Sequence, residues 1–228
     1  METSNQLHIY EEILLLALRD KKGTMLFGVN YQQALAGALL AELLLKNKIS
    51  IESSGKRKFV KLVDRKSMHN QLLDECIEKL ISAKRRARPQ SWIQRFANIA
   101  RLKHKAAQSL CRKRILQMEE DRVLLIFNRK IYPELDPKPE RELIDKLSNA
   151  IFGSSKEVDA QTAILISICN TTGILKQVLD KTKLKQNKKR IKEITTGNLI
   201  GQATKEAVEA MQTAIMVAAI IPVVVVSS

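Results

Sequence analysis

Between residues 31 and 46 the chain carries Ala34, Leu35, Ala38, Leu39, Leu40, Leu43 and Leu44. On a helix of 3.6 residues per turn these cover almost the whole circumference, so this helix must be surrounded by other elements. The rest of the sequence can supply that cover. With 228 residues, 45% of them apolar, there is enough for one large domain with a sizeable core, and general disorder is excluded. Only 4% of residues are aromatic, and 8 glycines and 5 prolines are too few for a sandwich or barrel of short strands. The expected fold is therefore mainly α. It is a single domain over residues 1–228, with an apolar central helical bundle surrounded by amphipathic helices and two β-hairpins.

Before the central helix, Leu7, Tyr10, Leu14, Ala17 and Leu18 recur at helical spacing. Glu11 and Glu12 suit the first turns, and Gly23 is the expected terminator. After it, 48–52 and 56–64 flank Ser53, Ser54 and Gly55 and read as a hairpin. Leu72, Leu73, Cys76, Ile77, Leu80 and Ile81 predict an amphipathic helix. Pro89 opens the next at its first position, with Trp92, Ile93, Phe96 and Ile99 inward. Apolar runs at 115–118 and 123–127, around Glu119, Glu120 and Asp121, predict the second hairpin. Pro133, Pro137 and Pro139 mark a loop. A helix through Leu143, Ile144, Leu147 and Ile151 closes at Gly153. Helices follow over 158–180, with a break near Gly173, and over the basic stretch 183–194; a last one, 199–221, closes the core. The apolar run 214–226 is shorter than the roughly 20 residues a helical membrane span needs, and no signal peptide opens the sequence.

Lys and Arg number 39 against 24 Asp and Glu, a formal net charge of +15. Nearly all of it sits in residues 56–115, which hold 18 basic and 4 acidic side chains. Charge spread for solubility would not concentrate this way; it marks a basic face for an anionic partner, either membrane lipid or nucleic acid. Lys84, Arg85, Arg86 and Arg88, or Lys188, Lys189 and Arg190, can neutralise phosphates and release counterions. No helix-turn-helix, zinc-finger or RNA-stacking motif accompanies them, so nucleic acid is the less favoured partner. An anionic bilayer rewards the same cations by about 1 kcal/mol each.

His8, His69 and His104 stand without Cys or carboxylate at metal-ligand spacing. Cys76, Cys111 and Cys169 are odd in number, far apart and set in helical apolar patterns, which suits small core hydrophobes in a reducing cytosol. No nucleophile and base stand in catalytic order. Neither an enzyme nor a cofactor is expected.

Leu7-His-Ile-Tyr-Glu-Glu-Ile-Leu-Leu-Leu-Ala-Leu-Arg-Asp-Lys-Lys-Gly23 resembles the opening of the Golgi phosphoprotein 3 family, whose yeast members are vacuolar sorting proteins. The likeness runs on through Ala41-Glu-Leu-Leu-Leu-Lys-Asn-Lys-Ile-Ser-Ile-Glu52, Leu72-Leu-Asp-Glu-Cys-Ile77 and Ser91-Trp-Ile93, and reaches the apolar run Val123, Leu124, Leu125, Ile126 and Phe127. It covers essentially the whole chain and is most specific in the first 50 residues. It implies a non-enzymatic, cytoplasmic, peripheral membrane adaptor. Such an adaptor reads phosphatidylinositol 4-phosphate on the Golgi membrane and holds the cytosolic tails of client proteins in vesicle-mediated transport. Eukaryotic members carry a long polar, arginine-containing leader linked to coatomer binding. This sequence begins almost directly at the fold, so coatomer engagement is not expected and the likeness is to a prokaryotic or divergent member.

Carried over one position at a time, the family's headgroup pocket falls on Phe27, Ala36, Ala100 and Lys103. Phe27 keeps an aromatic ring; Ala36 and Ala100 stand where the family has basic residues. Arg101 and Lys105 are near enough in sequence to replace what Ala100 lacks. Phe27, Arg101, Lys103 and Lys105 are thus the implied lipid-headgroup residues. Weak discrimination among anionic lipids is expected, since each missing charge-assisted hydrogen bond forgoes roughly 1.5–3 kcal/mol. The family's equivalent of the hairpin with Val123, Leu124, Leu125, Ile126 and Phe127 is tied to membrane insertion or self-association into a homo-oligomer; a strand buried on both faces is the competing reading. The alternative overall is a basic cytosolic nucleic-acid-binding or regulatory protein that kept the fold and lost the lipid pocket.

Overall fold

The computed structural model describes residues 6–19, 22–55, 57–123, 127–155 and 157–199. At its centre is α2 (Tyr31–Leu45), in which every side chain from Ala34 to Leu44 is buried. Ala34, Ala36, Gly37, Ala38 and Ala41 let the neighbouring helices approach closely, and a Cβ on Gly37 would stand 4.0 Å from Ile168 Cγ1. Around it pack α1 (Ile9–Ala17), α4 (Pro89–Ala97), α5 (Leu102–Arg112) and α7 (Ala160–Thr172). Outside these, α6 (Lys138–Phe152) covers α1 and α7, and α10 (Lys188–Thr195) covers α7. The smaller α3 (Gln71–Ile81), α8 (Leu175–Val178) and α9 (Lys181–Gln186) fill the periphery. The mainly α expectation holds.

The burial of α1 is complete and includes two carboxylates, which forces specific pairing. Glu11 accepts from Ser109 Oγ and Lys113 Nζ, both at 2.6 Å, and from the His8 amide at 2.8 Å. Glu42, in the middle of the apolar α2, accepts from the Ile9 amide at 2.8 Å and lies 3.1 Å from His8 Nδ1. It therefore serves an otherwise unsatisfied N-terminal amide of α1. Glu12 accepts from Gln161 at 2.9 Å, while its other oxygen has no hydrogen-bond partner among the described residues.

Among the described residues, three two-stranded antiparallel hairpins decorate the bundle. The expected pair at 48–64 is present as β3 (Ile49–Ser54) and β4 (Arg57–Leu62), turning at Gly55 with φ +58°. A hairpin that the sequence reading missed follows α1. Leu18 and Arg19 form β1, paired with Thr24 and Met25 of β2, so Gly23 does not cap a helix but closes this turn at φ +56°. A Cβ there would stand 2.2 Å from Pro133 N, and the Tyr132 amide donates to Gly23 O at 2.9 Å. Only glycine fits both the backbone angle and the contact.

The third hairpin is shifted from its expected position. Its strands are β5 (Glu119–Val123) and β6 (Phe127–Ile131), so Glu119, Glu120 and Asp121 are strand rather than turn. Cross-strand charge pairing explains the register: Glu120 lies opposite Lys130, and Asp121 opposite Arg129. Ile115 and Leu116, expected in the first strand, are instead core. Val123 pairs with Phe127, and Leu124, Leu125 and Ile126 lie outside the described residues.

Helix breaks also differ. The segment after Pro89 is two helices, α4 and α5, separated at residues 98–101, and the basic segment is α9 and α10, separated at Asn187. The break at Gly173 (φ +85°) is where it was expected. The helix expected over 199–221 lies outside the described residues beyond Leu199. Among the described residues no helix is long and apolar enough to cross a membrane.

Burial raises the Glu12 carboxyl from its ordinary 4.5 to about 7. The stability this group contributes is fully present below pH 4.5 and is lost as pH rises through 7, because ionisation is harder in the folded state than in the unfolded one. Glu12→Gln should remove that loss, on the order of 3 kcal/mol, so the variant gains on the native chain above pH 7. Urea unfolding at pH 5 and pH 8 checks this; an unchanged pH dependence would contradict it.

Candidate functional site

A strongly charged cavity lies where α5, the β1–β2 turn and β6 meet, with a volume near 700 Å³. Three connections build it. The Gly23–Tyr132 hydrogen bond ties the β1–β2 turn to the chain leaving β6. Tyr132 is buried, and its hydroxyl shares a 2.8 Å hydrogen bond with His104 Nδ1 on α5. Arg101 takes a left-handed conformation (φ +57°) as the residue before α5, which turns the chain out of α4 and sets the phase of the new helix.

With that phase, Arg101, Lys103, His104 and Gln108 line the cavity from α5, and Arg129 and Lys130 line it from β6. Their mutual repulsion is visible in the titrating groups. Burial and then the cations Lys103, Lys130 and Arg101 hold His104 below its ordinary value, and burial and Arg129 do the same to Lys103. Asp121 is the carboxylate that offsets this field, accepting from Arg129 at 2.6 and 2.9 Å. That pair is exposed, so it holds Arg129 by at most about 1 kcal/mol. A pocket of repelling cations with a histidine pushed toward its neutral form is chemically an anion receptor.

The four residues implied at sequence level fall in three places. Arg101 and Lys103 are together in the cavity. Lys105 is turned away, 2.5 Å from Glu75 of α3. Phe27 is not a lining residue but lies two positions beyond Met25, which is, and is 86% exposed. It is not core. Ala36 is wholly buried inside α2, while Ala100 is exposed just before Arg101. Sequence reasoning gave His104 no role in the pocket, and set Arg129 and Lys130 beside the apolar run as cations facing phosphates without bringing them to Arg101 and Lys103. The opposed charges at 120–121 and 129–130 were the signal that could have fixed the hairpin register and brought the two β6 cations to the site.

The basic run at 84–88 forms a different feature. Val60 donates to Ala87 O at 3.0 Å, strapping the run to β4, and Arg86 lies over the Phe59 ring. Lys84 and Arg85 join Lys79 and Arg95 around an open cavity near 570 Å³. Among the described residues no three His, Cys, Asp or Glu side chains gather as a metal site. Burial pushes the Cys76 and Cys169 thiols up, away from reactivity.

The family model described as Golgi phosphoprotein 3 (GPP34) matches residues 9–211 of this chain. The vacuolar protein sorting-associated protein 74 of Schizosaccharomyces pombe (strain 972 / ATCC 24843) is 27% identical over 179 residues, which is 69% of this chain and 52% of that protein. The chain thus spans about half the length of that relative. The matched region takes in α1, α2, the hairpins and the cation-lined cavity alike: the chain belongs to the Golgi phosphoprotein 3 family.

Proposed function

We propose that this domain is a non-enzymatic peripheral adaptor that docks on anionic membrane and there holds client protein tails in Golgi trafficking. The observation that carries the proposal is the convergence of Arg101, Lys103, His104, Arg129 and Lys130 on one cavity beside the exposed ring of Phe27. Clustered cations and donors suit a phosphorylated headgroup, and an exposed aromatic ring suits the membrane interface. Family membership supports trafficking, and the relative's name places that protein in vacuolar sorting. The headgroup that fits the family is phosphatidylinositol 4-phosphate. Arg129 and Lys130 supply the charge that Ala36 and Ala100 do not, and His104 adds a hydrogen-bonding ring, so the weak discrimination expected from those two alanines gives way to real selectivity.

Vesicle flotation at matched surface charge tests this. The chain should prefer phosphatidylinositol 4-phosphate over phosphatidylserine, and Arg101→Gln with Lys130→Gln should remove the preference, a loss of roughly tenfold or more in affinity. Equal binding to both lipids by the native chain contradicts the headgroup assignment. Salt-sensitive binding to short DNA with no vesicle binding favours the nucleic-acid reading.

We further propose that the apolar run Val123, Leu124, Leu125, Ile126 and Phe127 serves lipid insertion or contact with a second copy. Five consecutive large apolar residues beside Asn128, Arg129 and Lys130 would be an association liability on an otherwise idle edge. Leu125→Asp should weaken flotation or reduce oligomer size by light scattering while circular dichroism stays native. An unfolded variant makes the segment core; a folded variant with both properties unchanged removes the role.

A further inference from the structure

On the other side of the Phe27 loop lies a cleft of about 450 Å³ built by α7–α10. Lys176 of α8, Lys181 and Lys185 of α9, and Lys188 and Lys192 of α10 stand around it, and Leu184 and Ile191 form its floor. Residues 181, 184, 185, 188, 191, 192 and 195 share one face across the Asn187 break, so the lysines and the floor form one continuous stripe. Among the described residues no carboxylate lines the cleft, and none of the five ammonium groups has an ion-pair or hydrogen-bond partner. Among the described residues, folding has gathered five like charges with no carboxylate to offset them.

Two features narrow the occupant. The floor is apolar and the aliphatic lysine stems extend it, which a free polyphosphate or a nucleic acid would leave unused; no aromatic ring among the described lining residues offers a base a stacking surface. A lipid with an anionic headgroup uses both parts. Position points the same way. Thr24 and Met25 line the cation cavity described above. A few residues on, the Asn30 amide donates to Thr172 O at 3.1 Å, and Gly28 O lies 3.6 Å from where a Cβ on Gly173 would be. Asn170 and Lys176, on either side of that contact, line the cleft. The exposed Phe27 ring thus sits on a loop that joins the two basic hollows.

We infer that the α7–α10 cleft is a second anionic-lipid subsite, engaging an acidic phospholipid through Lys176, Lys181, Lys185, Lys188 and Lys192 while the α5–β6 cavity holds the first headgroup. This rests on the membrane-docking reading above and deepens it: the domain grips the bilayer at two points flanking Phe27, and the combined affinity exceeds that of either alone.

The test uses the full chain and phosphatidylcholine vesicles containing phosphatidylserine. Lysine acetylation read by mass spectrometry should modify the five cleft lysines in the free protein and spare them on vesicles. Lys185→Gln with Lys188→Gln and Lys192→Gln should weaken vesicle binding roughly a hundredfold, at about 1 kcal/mol per lysine, with circular dichroism unchanged. An equal-charge control at exposed positions away from the cleft, Lys46→Gln with Lys66→Gln and Lys138→Gln, should lose less than about fivefold. Cleft lysines already unreactive in the free chain would mean that the protein itself fills the cleft, and would overturn the inference. So would lysines that stay reactive on vesicles, a cleft variant no worse than the control, or protection by inorganic phosphate or short RNA equal to that by vesicles. The two sites fail separately. If Arg101→Gln with Lys130→Gln abolishes binding and the cleft variant does not, the cleft is wrong and the cavity stands; the reverse leaves the cleft standing and removes the cavity.

Discussion

Everything in this domain is arranged around the burial of α2. A helix apolar on all sides has no solvent face to offer, so α1, α4, α5 and α7 enclose it, and at roughly 25 cal/mol per Å² of apolar surface removed from water this is the dominant favourable term. Enclosure has a cost in polar groups. The N-terminus of α1 is carried into the core with Glu11 and Glu12, and the one acid of α2, Glu42, is aimed at the Ile9 amide. The same constraint explains why Ala36 is not a vacant site: its side chain is sealed in the bundle, where an arginine would bury a charge.

The cationic cavity is built outside that core by elements of little intrinsic stability, namely a two-residue-per-strand hairpin and a charged ribbon. What holds them is a short relay from Gly23 O to the Tyr132 amide, and from the Tyr132 hydroxyl to His104. Because Tyr132 is buried, the relay is fixed to the scaffold rather than to solvent. The cations it positions repel one another, Asp121 offsets part of their field, and the proposed anion would offset the rest. Selectivity for an anion and cohesion of the cavity are therefore parts of one electrostatic problem.

How much of this was legible depends on the length scale of the signal. The central helix, the β3–β4 hairpin and the break at Gly173 follow from apolar periodicity and turn residues within a few positions, and each is where the sequence put it. The α4–α5 break was hidden because its left-handed residue is Arg101, with neither glycine nor proline to announce it. The β1–β2 hairpin was hidden because Gly23 serves equally as a helix stop and as a turn, and the choice rests on its contact with Tyr132 and Pro133, more than 100 residues away. Arg129 and Lys130 were legible as phosphate-facing cations but not as part of the cavity, because apolarity, rather than cross-strand charge, was used to place the third hairpin. Functional cations drawn from distant segments emerge only once the fold brings those segments together.

The central claim is that the face carrying Phe27 and the basic hollows lies against the bilayer. Phe27→Trp with brominated acyl chains in vesicles containing phosphatidylinositol 4-phosphate reads it most directly, since Trp92 is buried and provides the internal reference. The account predicts a blue-shifted emission component that bromolipid quenches on binding, with Trp92 unaffected. A chain that binds the vesicles while the new indole emits as it does in water, unquenched, would contradict it.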